Sequence, residues 1–276
     1  MFIWVGTYVR SLKLALVQFE SQLQDVAKNL EKTIRFIGQA AEEKADMIVF
    51  PELFLTGYNP GLVGKDFFKQ AENVQNKQSI LTVLSQKAKE ANIHLIIPMA
   101  TYKDAPGVIY NSSVVINRKG EISGVYDKTH LWSDERVYFK EGEDYPVFEL
   151  DHCKIGLMMC YDGGFPEVSR ILALKGAELI ICPSAFRVQD KDMWDIYFKA
   201  RALENTCFVV GVNRVGTEED LHMFGNNKVA NPRGSIILDA PVDIEGMQII
   251  DINIDEVLLY REEIPFLRDR KQGYSL

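Results

Sequence analysis

The chain is poor in histidine and cysteine and carries no surplus of positive charge. Its 276 residues include four His and four Cys, and 39 acidic side chains outnumber 31 basic ones to give a formal net charge of -8. That balance argues against a nucleic-acid backbone or an anionic membrane as partner, because both reward clustered Lys and Arg. The cysteines, at positions 153, 160, 182 and 207, show no C-x-x-C spacing. Neither a disulfide framework nor a zinc site is indicated, and reduced thiols in a cytoplasmic protein are the default expectation. Long hydrophobic runs are missing too. The N-terminal stretch M-F-I-W-V-G-T-Y-V is apolar but too short to span a bilayer and lacks a basic leader, so residues 1–11 read as an extension that packs or stays loose. Repeats, low-complexity linkers and charge blocks are also absent, which predicts one domain over 1–276 with a charged tail at 263–276.

What is present is an ordinary globular balance, 47% apolar and 25% charged, in a length ample for a large core. Residues 12–19 predict a strand, and 25–44 a helix with Val26, Leu30, Ile34, Ile37 and Ala41 on one face. Residues 46–50 predict a strand, 74–91 a second amphipathic helix, and 93–100 a third strand. Residues 108–117 and 121–126 flank N-R-K-G as a hairpin, and a long polar-aromatic loop follows over 127–144. Further strands at 178–182 and 207–213 surround a helix at 190–205, and a last helix is expected at 255–262. Several strands are apolar without alternation, so both sheet faces must be covered. The expected class is α/β, with two mixed sheets packed on each other and helices outside.

The most informative stretch is K-I-G-L-M-M-C-Y-D-G-G-F-P-E, residues 154–167. It reads as a buried strand that stops at Cys160, turns at Gly163 and Gly164, and enters a helix at Pro166. Such a corner suits a nucleophile, because the strand holds it while the turn presents backbone N–H groups to developing negative charge. A free cysteine is more commonly a small buried hydrophobe.

Two other reactive groups fall at strand ends, Glu52 after M-I-V-F-P and Lys128 after G-V-Y-D. A thiol needs a base to react near neutral pH, and His130 is the one histidine in a candidate segment. A Cys160–His130 pair would lack an orienting third residue. A buried carboxylate can replace histidine, and a lysine can stabilise the thiolate and a later oxyanion. Surface charge is the plainer reading of Glu52 and of Lys128 taken singly.

With F-P-E-L-F-L-T-G-Y around Glu52, Y-D-K-T-H-L around Lys128, C-Y-D-G-G-F-P-E from Cys160 and A-R-A-L-E-N at 200–205, the sequence resembles the nitrilase superfamily of carbon-nitrogen hydrolases. The resemblance implies a four-layer α-β-β-α sandwich and a Glu52-Lys128-Cys160 triad. It also implies a second glutamate, Glu135, that positions the substrate nitrogen or the lysine, and an oxyanion site at Lys128 and the N–H of Tyr161. Members commonly pair as dimers, which makes 166–176 and 255–276 interface candidates; a homodimer or higher homo-oligomer is expected, without metal or organic cofactor. True nitrilases tend to carry Trp-Glu after the nucleophile, whereas this chain has Tyr161-Asp162, as many amidases do. The favoured substrate is therefore a small-molecule amide or carbamoyl compound, with nitrile hydrolysis, acyl transfer or a non-catalytic binding role as alternatives. Gly163 and Gly164 depart from bulkier residues of several branches, which would widen the pocket. Candidate lining residues are Tyr58, Trp132, Phe165, Phe186 and Trp194, with core packing as the plainer reading of each aromatic. Arg187 is placed to pair with a substrate carboxylate, as an omega-amide would need.

Overall fold

The computed structural model describes residues 9–76, 78–103 and 105–271. Six strands come first, β1 (Ser11–Gln18), β2 (Met47–Val49), β3 (Glu72–Asn73), β4 (His94–Tyr102), β5 (Ile109–Ile116) and β6 (Ile122–Asp127). Four more follow, β7 (Val147–Leu150), β8 (Cys153–Leu157), β9 (Leu179–Ser184) and β10 (Phe208–Asn213). A hairpin of β11 (Val215–Glu218) and β12 (Leu221–Phe224) stands apart, and β13 (Lys228–Ala230), β14 (Ile236–Asp239) and β15 (Gly246–Asn253) complete the set.

The strands form two mixed sheets, ordered β15-β1-β2-β4-β5-β6, with β3 beside β4, and β14-β13-β10-β9-β8-β7. Parallel pairing holds the middle of each sheet, β1 to β2 to β4 and β8 to β9 to β10. Antiparallel strands flank both centres.

The unalternating apolar runs have the cause expected of them. In β1, Leu12, Leu14 and Leu16 pack in one core with Ile155, Leu157 and Val209 of the other sheet. Ala15 and Val17, pointing the other way, pack with Ile37, Ala40, Leu84 and Ala88 of two outer helices. Those helices are Val26–Glu42 and Ile80–Ala91; Asp25 opens the first by accepting from the Lys28 N–H, and Asn92, at φ 52°, closes the second. Helices Pro166–Leu174 and Lys191–Asn205 cover the second sheet through Val168, Leu172, Phe198 and Ala202. The result is the α-β-β-α sandwich expected.

The second outer helix starts six residues later than its periodicity predicts. Glu72–Asn73, just before it, pairs with β4, and the Asn73 and Asn76 side chains accept from the N–H groups of Gln75 and Gln78. These local turns compete with helix. Residues 1–8 of the N-terminal extension and 272–276 of the tail lie outside the described residues.

Candidate active site

The ends of β2, β6, β8 and β9 converge where the two sheets face each other, and the chemistry-bearing side chains sit there. Lys128 follows β6 directly, and its backbone N–H donates to the carbonyl of Asn111 on β5 at 2.8 Å. Its side chain is fully buried between two carboxylates, with Nζ 2.8 Å from Glu52 Oε1 and 2.7 Å from Glu135 Oε1. An ammonium has three N–H donors, so one is left over.

Both carboxylates are themselves held. Glu52 Oε1 also accepts from Asn111 Nδ2 at 2.8 Å, and Oε2 accepts from the Ala185 N–H at 2.9 Å. Glu135 Oε1 accepts from the Tyr58 hydroxyl at 2.5 Å, and Oε2 accepts from the Trp132 N–H at 3.1 Å. Glu135 opens a one-turn helix, Glu135–Tyr138, inside the long loop after Lys128. That loop is bracketed by Gly142, which passes so close to Asp127 that a Cβ would lie 2.2 Å from its carbonyl oxygen.

Cys160 stands at the corner after β8 with φ 47°, a left-handed conformation uncommon for a residue with a Cβ. Asp162 fixes the corner. Its buried carboxylate accepts from Met159 N–H, the Tyr126 hydroxyl, the Thr129 hydroxyl and His130 N–H, tying the Cys160 turn to the segment after Lys128. His130 Nδ1 lies 2.8 Å from the same carboxylate and its ring stacks on Phe165 at 3.8 Å, so the histidine is engaged with Asp162.

Burial and charge set the protonation states. Burial pushes the Cys160 thiol well above the ordinary range and the charge of Glu52 adds to this, against the pull of Lys128. Burial alone would push the Lys128 ammonium down, but Glu135, Glu52 and Cys160 together outweigh it and hold its pKa well above the usual value. Burial raises Glu135 against the pull of Lys128. The resting thiol is therefore protonated at neutral pH, and its activation requires a base.

A cavity of about 200 Å³ opens onto Cys160. Tyr58, Trp132, Tyr161, Phe186 and Arg187 line it as the sequence suggests. Phe165 and Trp194 do not. Phe165 packs on His130 and edge-on to Tyr161, while Trp194 is wholly buried against Phe186, Phe198 and Phe224 and donates from Nε1 to the Asn226 carbonyl. Nor do Gly163 and Gly164 widen the cavity. Tyr197 fills the space beside them, its hydroxyl 3.2 Å from where a Gly164 Cβ would stand, and their carbonyls accept from Arg201. Lining residues that sequence reasoning missed include Asp190, Met193, Tyr197 and Leu221.

Alkylation gives a direct test of this geometry. Cys160 lines the cavity, whereas Cys182 and Cys207 are enclosed and pushed up to about 12, and Cys153 is raised further by burial. Iodoacetamide is expected to modify Cys160 first, at a rate still rising between about pH 8 and 9, since a raised thiol pKa delays the thiolate. Peptide mapping of the first adduct checks this, and a first adduct elsewhere overturns it.

Comparison with known proteins gives a consistent answer. The family model described as carbon-nitrogen hydrolase matches residues 13–262. A probable nitrilase of Schizosaccharomyces pombe is 34% identical over 261 residues, 93% of this chain and 94% of the relative. The crystal structure of Saccharomyces cerevisiae Nit3, a member of the nitrilase superfamily, matches with a TM-score of 0.87 at 27% identity, over 95% of this chain and 97% of that one. An amidase from Nesterenkonia sp. AN1 matches with a TM-score of 0.82 at 25% identity over 94% of each chain, in a glutamate-to-glutamine mutant with the acetamide moiety of fluoroacetamide added covalently at its active site cysteine. A second mutant of that amidase was solved in complex with butyramide, at a TM-score of 0.79 and 26% identity over 92% of this chain and 95% of that one. With the sandwich in place and the match running from β1 to the helix Asp255–Glu263, the chain belongs to the nitrilase superfamily and is a carbon-nitrogen hydrolase.

Proposed function

We propose that the protein hydrolyses small linear amides to a carboxylic acid and ammonia through a thioester on Cys160. The observation that carries this reading is the buried Glu52-Lys128-Glu135 chain beside a thiol held in a left-handed corner. Glu52 takes the Cys160 thiol proton as the sulfur attacks the amide carbon. The remaining N–H of Lys128 and the Tyr161 N–H receive the oxyanion. Glu52 returns its proton to the leaving nitrogen, and ammonia departs. Water then loses a proton to Glu52 and attacks the thioester, releasing the acid and restoring the thiol. Glu135, fixed by Tyr58 and Trp132, holds Lys128 in place.

The butyramide complex of the Nesterenkonia amidase supports an amide as substrate. Tyr161-Asp162 after the thiol supports amide over nitrile, and the S. pombe relative named a probable nitrilase keeps nitrile hydrolysis as the second reading. The proposal extends to a cytoplasmic homodimer, with exposed Leu174, Leu258 and Leu259 on the helices Pro166–Leu174 and Asp255–Glu263 as interface candidates.

Ammonia release from a panel of amides, N-carbamoyl compounds and nitriles tests the reading, with Cys160→Ala as control. Amides are expected to lead, and the variant to release nothing above background. Activity surviving Cys160→Ala would sink the mechanism, and a nitrile as best substrate would favour the second reading.

A further inference from the structure

The cavity wall is unusual in how it spends its charge. Among the described residues Arg187 is the one basic side chain lining it, since Lys128 lies deeper and is committed to Glu52 and Glu135. Arg187 is committed as well. Its Nε donates to Asp190 Oδ2 at 2.5 Å, and its guanidinium lies over the Trp132 ring, 4.9 Å from the centroid. Asp190 ends the short turn Val188–Asp190, where its own N–H donates to the Arg187 carbonyl at 3.1 Å. The two side chains thus form a closed pair on one turn, and the remaining wall is aromatic and aliphatic, with Phe186, Met193, Tyr197 and Leu221 facing the space.

Such a wall favours an uncharged acyl group. A cavity of about 200 Å³ is many times the roughly 10–15 Å³ that one water needs, which leaves room for a short acyl chain. A substrate carboxylate entering it would lose its hydration and meet a guanidinium whose charge Asp190 already offsets, with only its outer N–H groups left to pair. An alkyl or aryl chain meets no such penalty and gains from leaving water.

Building on the amide-hydrolase reading, we propose that Asp190 is a specificity-determining residue, which occupies Arg187 and thereby selects neutral amides of apolar acids over monoamides of dicarboxylic acids. The effect is one of competition for a single guanidinium. Asp190 makes no side-chain hydrogen bond to any described residue other than Arg187, so its removal frees the cation without breaking a second contact.

The test compares kcat/KM for hexanamide and for succinamate, the monoamide of butanedioic acid, in the wild-type protein, Asp190→Asn and the double variant Asp190→Asn/Arg187→Gln. The wild type is expected to favour hexanamide by at least about 100-fold. Asp190→Asn is expected to raise the succinamate-to-hexanamide ratio about tenfold or more, mainly through a lower KM for succinamate, and the double variant to cancel that gain. A wild-type preference for succinamate, an unchanged ratio in Asp190→Asn, or a gain that persists without Arg187 would each overturn the assignment while leaving amide hydrolysis standing. No ammonia from either amide with the wild-type protein would overturn both.

Discussion

Replacing Lys128 with methionine is expected to cost about 3–5 kcal/mol of stability and to bring ammonia release below detection, because the change leaves buried carboxylates without their cation. Glu52 and Glu135 each keep their other donors, but both lose the ammonium that lies within 2.8 Å of them. The deficit should depend on pH with a definite sign. Burial already raises the Glu135 carboxyl above its ordinary value, and Lys128 is the leading influence that pulls it back. Removing Lys128 raises it further. A carboxyl whose folded pKa lies above its unfolded one is fully compatible with folding below the unfolded value, near 4.3, and opposes folding as pH rises through the folded value. Denaturant unfolding of Lys128→Met and the wild type at pH 5 and pH 8 should therefore show the larger gap at pH 8. An equal gap at both would mean that the methionine is tolerated or rejected on shape alone. Activity should not return at either pH, since neither restores a donor for the oxyanion.

The positions of these groups were legible in the sequence because strand ends are. Short apolar runs place Glu52 and Cys160 just beyond β2 and β8, and the second arm of a hairpin places Lys128 just beyond β6. Which partner each side chain takes was not legible. The Tyr58 hydroxyl reaches Glu135 across 77 residues of chain, and Asn111 reaches Glu52 across 59, contacts made by sheet packing with no local signal. Trp194 shows a different failure. Aromatic content near a reactive loop suggested a pocket wall, yet Trp194, Phe198, Arg201 and Asn205 fall on the buried stripe of their helix, while Met193 and Tyr197, one position earlier, line the cavity. Helical periodicity identifies the stripe, but the sequence does not say which flank borders the site. Arg187 read alone invited a substrate carboxylate; its ion pair with Asp190 is made across a turn, outside any helical spacing rule, and carried no sequence signal.

A second large effect is expected at Glu52→Gln, where two readouts should move in opposite senses. The carboxylate serves three donors, with Asn111 and Lys128 on one oxygen and the Ala185 N–H on the other. A glutamine offers only one acceptor oxygen, so one side must face donor against donor, at about 1–3 kcal/mol. Ammonia release should fall by roughly 10²–10⁴, the usual contribution of a positioned general base. The Cys160 thiol, meanwhile, should become easier to ionise. After burial, Glu52 is the largest influence holding its pKa up, and Lys128, which favours the thiolate, stays in place beside Glu135. Iodoacetamide alkylation of Cys160 in Glu52→Gln should therefore shift to lower pH than in the wild type while turnover is lost. A merely structural glutamate would lose both together, through a disordered site. If turnover falls and the alkylation profile stays where it was, Glu52 is not the charge that Cys160 feels; if turnover survives within tenfold, the proton has another acceptor, and His130, 2.8 Å from Asp162, is the first to examine.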